Sequence, residues 1–434
     1  DDSPSQRRQR FDISILEESE LVAATRPFDP AFRMRRHRMS QSLVTAFCLC
    51  ATRTSSGFST TSRILSSLTS SMSSRSRACS IPGSYRGIRS YGGSSRAAAT
   101  LADQRVKDEI KIVQDALYRI RNVNNVPAEI QNTLIPFQVD GISLGKVRPT
   151  TAELLVNTSS SVGSVFELQS TTNGNDGVSQ QYLTLSQSCG STAQERSDAV
   201  AKVMNLLREQ EIVRGWREEL YPVAETFYEQ PVFLMERAAV PLLGILEYGV
   251  HINGLVAAPK ENSSDDDDSL LPATPQMWMA RRSATKSKYP AMLDHIVAGG
   301  QPAGLSLMDN VMKECLEEAG IPNNIARAGI RSAGVISYES YSRKSETVSR
   351  TVLFNYDLYL PSNFQPTPVD GEVQEFFLWS TDEILASLAP DFADPIKPNC
   401  YIVIIDWLIR EGLLSPDIPG YLDVVRELRS GDCQ

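Results

Sequence analysis

Gly299 to Ile321 reads GGQPAGLSLMDNVMKECLEEAGI, and the rest of the chain is understood outward from this stretch. The Ser306 hydroxyl can accept a free N–H at the start of a helix, and Gly320 can adopt the left-handed turn that ends one. The spacing therefore predicts a helix from Ser306 through Ala319. On it Glu314, Glu317 and Glu318 stand at i, i+3 and i+4, so they share one face. Like charges at that spacing repel, and a cation relieves the repulsion. Oxygen ligands at this density suit Mg²⁺ or Mn²⁺. A bare ExxEE is more often a solvated acidic face. The glycines ahead of it, Gly299, Gly300 and Gly304, shift the weight toward a metal site, because they predict a tight, mobile loop whose backbone can approach a metal and phosphates.

Composition narrows the alternatives. The 434 residues allow two or three domains, and 41% hydrophobic with 22% charged residues is ordinary for a globular protein. The apolar runs near Leu234–Leu246 and Tyr401–Ile409 carry charges and read as core, so no membrane span is expected. A net charge of -9 argues against broad nucleic-acid binding but leaves room for a small anionic substrate in a local basic pocket. The seven cysteines form no CxxC and no disulfide framework. The three histidines, His37, His251 and His295, share no metal-ligand spacing. A histidine zinc site is therefore not expected, and His251 and His295 read as structural.

Between Asp29 and Asp103 there is no acidic residue, and arginines and serines fill the window. That composition predicts an organelle transit region, disordered over residues 1–103, with mitochondrion and plastid both open and a cytoplasmic protein expected if the region carries no address. An α+β domain is expected over 104–240. It holds a helix at 108–121, strands at 135–141, 144–147 and 165–168, a loop from 170 to 194, and an amphipathic helix at 196–210. A second domain over 241–434 is expected to carry strands at 251–256, 277–281, 334–338, 352–359 and 375–379, and helices at 381–388 and 399–411. Asp265 to Asp268, four adjacent charges, predict a solvated insertion between Ala257 and Gln276.

The 299–321 stretch resembles the Nudix box, G-x5-E-x7-R-E-U-x-E-E-x-G-U, with U aliphatic. Gly299, Glu314, Glu317, Glu318, Gly320 and Ile321 match it. Leu305 stands for the first glutamate, Lys313 for the arginine and Cys315 for the aliphatic residue, and Asp309 could replace the missing carboxylate. The similarity extends through RGWREELYPV (214–223), ERAA (236–239), YGVHING (248–254), RRS (281–283), YPAMLD (289–294), YDL (356–358) and DGEVQ (370–374). In these segments the chain is similar to the Nudix subfamily related to thiamine pyrophosphokinase proteins.

The resemblance implies a Nudix α/β/α sandwich with a mixed sheet, preceded by a small α+β domain. It implies a metal-dependent hydrolase that cleaves a phosphoanhydride of a damaged thiamine diphosphate or a nucleoside diphosphate, with oxidised purine nucleotides as a competing class. Gly299, Glu314, Glu317 and Glu318 are the expected metal site, with one of these glutamates, Glu372 or Glu375 as base. Arg281, Lys286 and Lys288 are the candidates for diphosphate contact. Trp216 and Trp379 read as core packing rather than stacking platforms. Two other classes stay open: a binding module in which the altered box senses a metabolite, and an isomerase, which would need a cysteine–glutamate pair.

Overall fold

The computed structural model describes residues 95–172, 179–257 and 274–431. In chain order the elements are α1 (Ser95–Val123), α2 (Ala128–Gln131), β1 (Ile135–Val139), β2 (Ile142–Val147), α3 (Pro149–Ser159), β3 (Phe166–Thr172), β4 (Ser179–Leu185), α4 (Ala193–Glu209), β5 (Leu220–Val223), β6 (Phe233–Glu236) and α5 (Val240–Leu243). They continue with β7 (Leu246–Val256), β8 (Gln276–Arg282), β9 (Leu293–His295), β10 (Val297–Gly300), α6 (Leu307–Ala319), α7 (Asn323–Gly329), β11 (Ile330–Ser342), β12 (Thr347–Leu360), β13 (Val373–Trp379), α8 (Thr381–Ser387), α9 (Pro398–Arg410) and α10 (Tyr421–Glu427). The basic window expected to be a transit region lies, up to residue 94, outside the described residues, as do residues 258–273 of the acidic insertion.

The small sheet has the order β2-β1-β4-β3, with β1 and β4 parallel. Phe137, Phe166, Leu183 and Phe233 meet Leu155 of α3 and Met204 and Leu207 of α4 in one core. Strand β4 falls inside the stretch expected to be a loop. Its sequence, SQQYLTL, is polar at one end, yet Leu183 and Leu185 alternate inward and are buried. The capping box expected of a strong helix start is present at α4, where Thr192 and Glu195 satisfy each other's backbone N–H.

The larger sheet runs β11-β12-β7-β8-β13, with β10 paired to β7 and β9 to β8. It is mixed: β7 and β12 are parallel, while the other pairs are antiparallel. One face packs against α6 and α7 through Val311, Cys315, Ala319 and Ala326. The other packs against α9, with Tyr401, Ile405 and Trp407 buried. This is an α/β/α sandwich, as expected. Helix α9 is apolar almost all round, as a helix enclosed on every side must be. Its one interior acid, Asp406, is paired by Arg410 and Arg429.

Helix α1 begins at Ser95 and is longer than the periodicity suggested. Val113, Ala116 and Ile120 share the core of α9 and α10 rather than that of the small sheet. Part of the segment read as the first domain thus belongs physically to the second layer.

Candidate active site

Helix α6 starts where the sequence placed it. Ser306 accepts the Asp309 N–H at 3.1 Å and donates to the Asp309 carboxylate at 2.6 Å. Asp309 is thus engaged at the helix start with Ser306. Leu305 is 38% exposed rather than packed inward. The loop before the helix is fixed without a glutamate at 305. Asn310, fully buried, donates to the Gly300 carbonyl at 2.7 Å, and Gln301 donates to the Leu305 carbonyl at 2.8 Å.

Gly299 and Gly300 are not in a mobile loop. Both lie in β10, paired with Val250 and Gly249 of β7. Their lack of a side chain has a steric cause: a Cβ on Gly299 would collide with the Glu314 carboxyl group. On Gly300 it would meet the Tyr221 hydroxyl and the Arg237 guanidinium. Gly304 alone of the three has a positive φ, +85°.

The three box carboxylates differ. Glu318 is only 7% exposed, and one oxygen accepts the Ala298 N–H at 2.9 Å. Burial, reinforced by the charge of Glu314, pushes its carboxyl well above the usual range. Burial also raises Glu314, with Lys313 partly offsetting it. Glu317 is half exposed and paired outward with Lys313 at 2.9 Å. Against its own partial burial, Lys313 is raised to about 12 by these two glutamates. In this conformation the three carboxylates share a face but do not converge on one point.

A cleft beyond Glu318 is lined by Ala280, Arg282, Asp294, His295, Ala298, Glu372 and Val373. Glu372, half-buried in the segment before β13, forms an ion pair with Lys286. Against burial, which would raise it, Lys286, Arg217 and Arg282 hold its carboxyl below the usual value. The structure thus brings Glu318 and Glu372 to one cleft, with Lys286 paired to Glu372. The Arg281 guanidinium is engaged away from the cleft: it makes a two-pronged pair with Asp394 at 2.7 and 2.6 Å and lies over Phe377. Glu375 faces Arg281 and not the cleft. Arg282, the next residue, is the one that points in. Lys288 is exposed, and its backbone carbonyl accepts from Arg282.

Behind the cleft lies a group the sequence did not reveal. His251 and His295 contact through their Nδ1 atoms at 3.1 Å, and the Cys400 thiol donates to Asp294 at 2.7 Å. Donor atoms of His251, His295 and Cys400 lie within 4.8 Å of one another, the one such trio among the described residues. Burial drives His295 down to about 4 and His251 well below its ordinary value, which favours the uncharged rings. The Asp294 carboxylate also holds Arg282 at 2.7 Å and Lys397 at 3.2 Å. Two fixed cations beside the trio already neutralise its one acid and oppose a further cation. The box face has one exposed lysine against three carboxylates, and fits a hard cation better. Glu318 is buried and Glu314 partly so, and both are raised. A hard cation would supply the counter-charge that Glu318 lacks and that Lys313 gives Glu314 only in part.

A glycine-bearing strand leading into the ExxEE helix across a mixed sheet is the arrangement that the Nudix resemblance implied. The comparisons agree with that resemblance: over rather more than half of its length the chain is similar to proteins named as Nudix hydrolases. It is 43% identical over 240 residues to Nudix hydrolase 24, chloroplastic, of Arabidopsis thaliana, covering 55% of this chain and 61% of that protein. It is 43% identical over 243 residues to Nudix hydrolase 20, chloroplastic, of the same plant, covering 55% and 59%. The chain thus matches about three-fifths of the length of these relatives. Residues 115–247 match a domain of unknown function, DUF4743. Among solved structures it is similar to the NUDIX domain of Shewanella oneidensis NrtR complexed with ADP ribose, at a TM-score of 0.28 and 12% identity over 38% of this chain and 86% of that one.

Proposed function

We propose that this chain is a divalent-metal-dependent hydrolase of a phosphoanhydride in a small diphosphate compound. The observation that carries the reading is the meeting of Glu318, Glu372 and Arg282 in one cleft, with Glu314 and Glu317 beside it on the same helix face. Glu314, Glu317 and Glu318 hold Mg²⁺ or Mn²⁺, with the Gly299 backbone leaving room for Glu314. When bound, the ion neutralises diphosphate charge and makes water more acidic. Lys286 and Arg282 attract and orient the anionic substrate. Lys286 keeps Glu372 ionised and weakly basic, which suits a ligand role. One of the box glutamates or Glu372 takes the proton from the attacking water. We place the domain division at about residue 240, with α1 packed in the core of the second domain.

The substrate class is a nucleoside-diphosphate-like or thiamine-diphosphate-like compound, cleaved to the monophosphate and phosphate. Both Arabidopsis relatives carry "chloroplastic" in their names, which supports an organellar, plastid address for the basic window.

The test is a screen of diphosphate compounds with Mg²⁺ or Mn²⁺, reading orthophosphate and pyrophosphate separately. Metal-dependent release is the expected result. Binding without release would instead establish a sensor, and an intact rearranged diphosphate an isomerase.

A further inference from the structure

The small domain does not merely precede the box; it reaches it. Tyr221 of β5 and Arg237, just after β6, stand against Gly300, and the Ala303 N–H donates to the Leu220 carbonyl at 3.0 Å. Arg237 lies over the Tyr221 ring at 5.3 Å, and Glu219 holds one of its Nη atoms at 2.8 Å. At the other end of the site, Arg217 reaches Ser287 at 3.5 Å and helps hold down the Glu372 carboxyl.

One buried side chain sets both arginines. The Glu236 carboxylate accepts the backbone N–H groups of Arg217 at 2.9 Å, Glu218 at 3.1 Å and Ala238 at 3.0 Å. It is 5% exposed. Glu218 is held at a φ of +59°, a left-handed conformation that a non-glycine residue keeps only when its surroundings enforce it. The segment 217–219 and the start of 237–239 are thus one pre-ordered unit, with a guanidinium at each end of the carboxylate row.

We propose that Arg217 and Arg237, fixed by Glu236, form a clamp through which the small domain binds the diphosphate group, so that the site is shared between the two domains. Arginine suits the task because its planar fork matches phosphate oxygens. The substrate class rests on the reading above; the placement of the two arginines does not.

The experiment uses the full chain and the non-hydrolysable probe imidodiphosphate with Mg²⁺, followed by calorimetry. Arg217→Ala and Arg237→Ala should each weaken binding about tenfold, equivalent to about 1.4 kcal/mol. Arg214→Ala, in the same segment but paired only with neighbouring Glu211 groups, should leave binding unchanged. Arg217→Lys and Arg237→Lys should recover part of the loss, and these variants keep the test valid if Arg237→Ala fails to fold. Glu236→Gln should weaken probe binding as well as lower the melting temperature, whereas a purely structural role would move the melting temperature alone. Folded arginine variants, alanine or lysine, that bind the probe as tightly as wild type overturn the clamp, even if wild type hydrolyses diphosphates. If wild type hydrolyses none while the variants still lose the probe, the catalytic reading fails and the clamp stands.

Discussion

Glu318 and Asp294 line the same cleft, and both are buried. Their carboxyls are nevertheless driven in opposite directions. Glu318 has one backbone N–H for a partner and Glu314 as a like-charged neighbour, so burial prevails and its carboxyl rises. Asp294 is buried as well, but Lys397 and Arg282 outweigh that cost and hold it far below the usual range. The difference separates two kinds of buried acid. Asp294 already has its counter-charges and serves as the knot that ties β8, β9 and α9 together. Glu318 lacks a counter-charge, and a bound cation would supply one.

The sharpest way to break this contrast is to remove each charge in turn. Glu318→Gln keeps size and loses the metal-holding charge, so turnover should fall at least a thousandfold, about 4 kcal/mol of barrier, with the fold retained. Glu317→Gln should also be strongly impaired. Rates within about threefold of wild type in either variant would remove the box from the chemistry. Asp294→Asn should do the reverse. It strands Lys397 and Arg282 in the interior and should cost about 3–5 kcal/mol of stability, read as a large drop in the urea midpoint. A melting curve unchanged by Asp294→Asn would show that the knot is not structural.

The two acids also give opposite pH signatures without metal. Glu318 binds its proton more tightly folded than unfolded. As pH rises from the ordinary value of 4.5 toward its raised folded pKa, the native state holds the extra proton, and stability falls. Asp294 is lowered, so its contribution is present above its unfolded value of 3.8 and is lost as pH drops through and below it. His251 and His295, lowered by burial, add to the acid limb because they must charge as pH falls below 6.5. Metal-free protein should therefore lose stability on both sides of an optimum set by the balance of these groups. Mg²⁺ or Mn²⁺ should restore stability on the alkaline side alone, and Glu318→Gln should flatten that side. Thermal melts across pH, with chelator and with metal, check both limbs. An alkaline limb unaffected by Glu318→Gln would mean that another group sets it.

The same contrast explains what was legible in the sequence. The Glu314–Glu317–Glu318 face could be read because a helix repeats every 3.6 residues and all three groups are local. The α/β/α layering followed from the resemblance carried by the box and the segments around it. The Asp294 knot could not be read, since Arg282, Asp294, Lys397 and Cys400 come from three separate elements. The exchange of Arg281 for Arg282 is a one-residue matter: in a strand, neighbouring side chains point to opposite faces, and the sequence does not say which face is the cleft. Strand β4 was missed because its outward residues are polar and its start looks like a loop. The partners of Gly299 and Gly300 were invisible for a related reason. Glu314 lies on a later helix, and Tyr221 and Arg237 lie far back along the chain, on β5 and just after β6.

The smallest effects belong to the altered box position, and they sharpen the contrast from outside the cleft. Leu305 is partly exposed and its carbonyl, not its side chain, makes the hydrogen bond to Gln301. Replacing it with glutamate removes little packing and sets a charge beside the helix start, where the dipole favours it by about 0.3–1 kcal/mol. Leu305→Glu should therefore keep its melting temperature, with a stability change within about 0.5 kcal/mol. It should also lower the Mg²⁺ concentration needed for half-maximal turnover, or shift the preference between Mg²⁺ and Mn²⁺, because it adds a carboxylate next to a row short of counter-charge. Asp309→Asn is its companion. Asp309 caps α6 with Ser306, so its loss should cost about 0.3–1 kcal/mol of stability through the dipole and leave the metal dependence alone. The opposite pattern, a destabilised Leu305→Glu and an inactive Asp309→Asn, would mean that the acid completing the site sits one helical turn further on than the box alignment puts it.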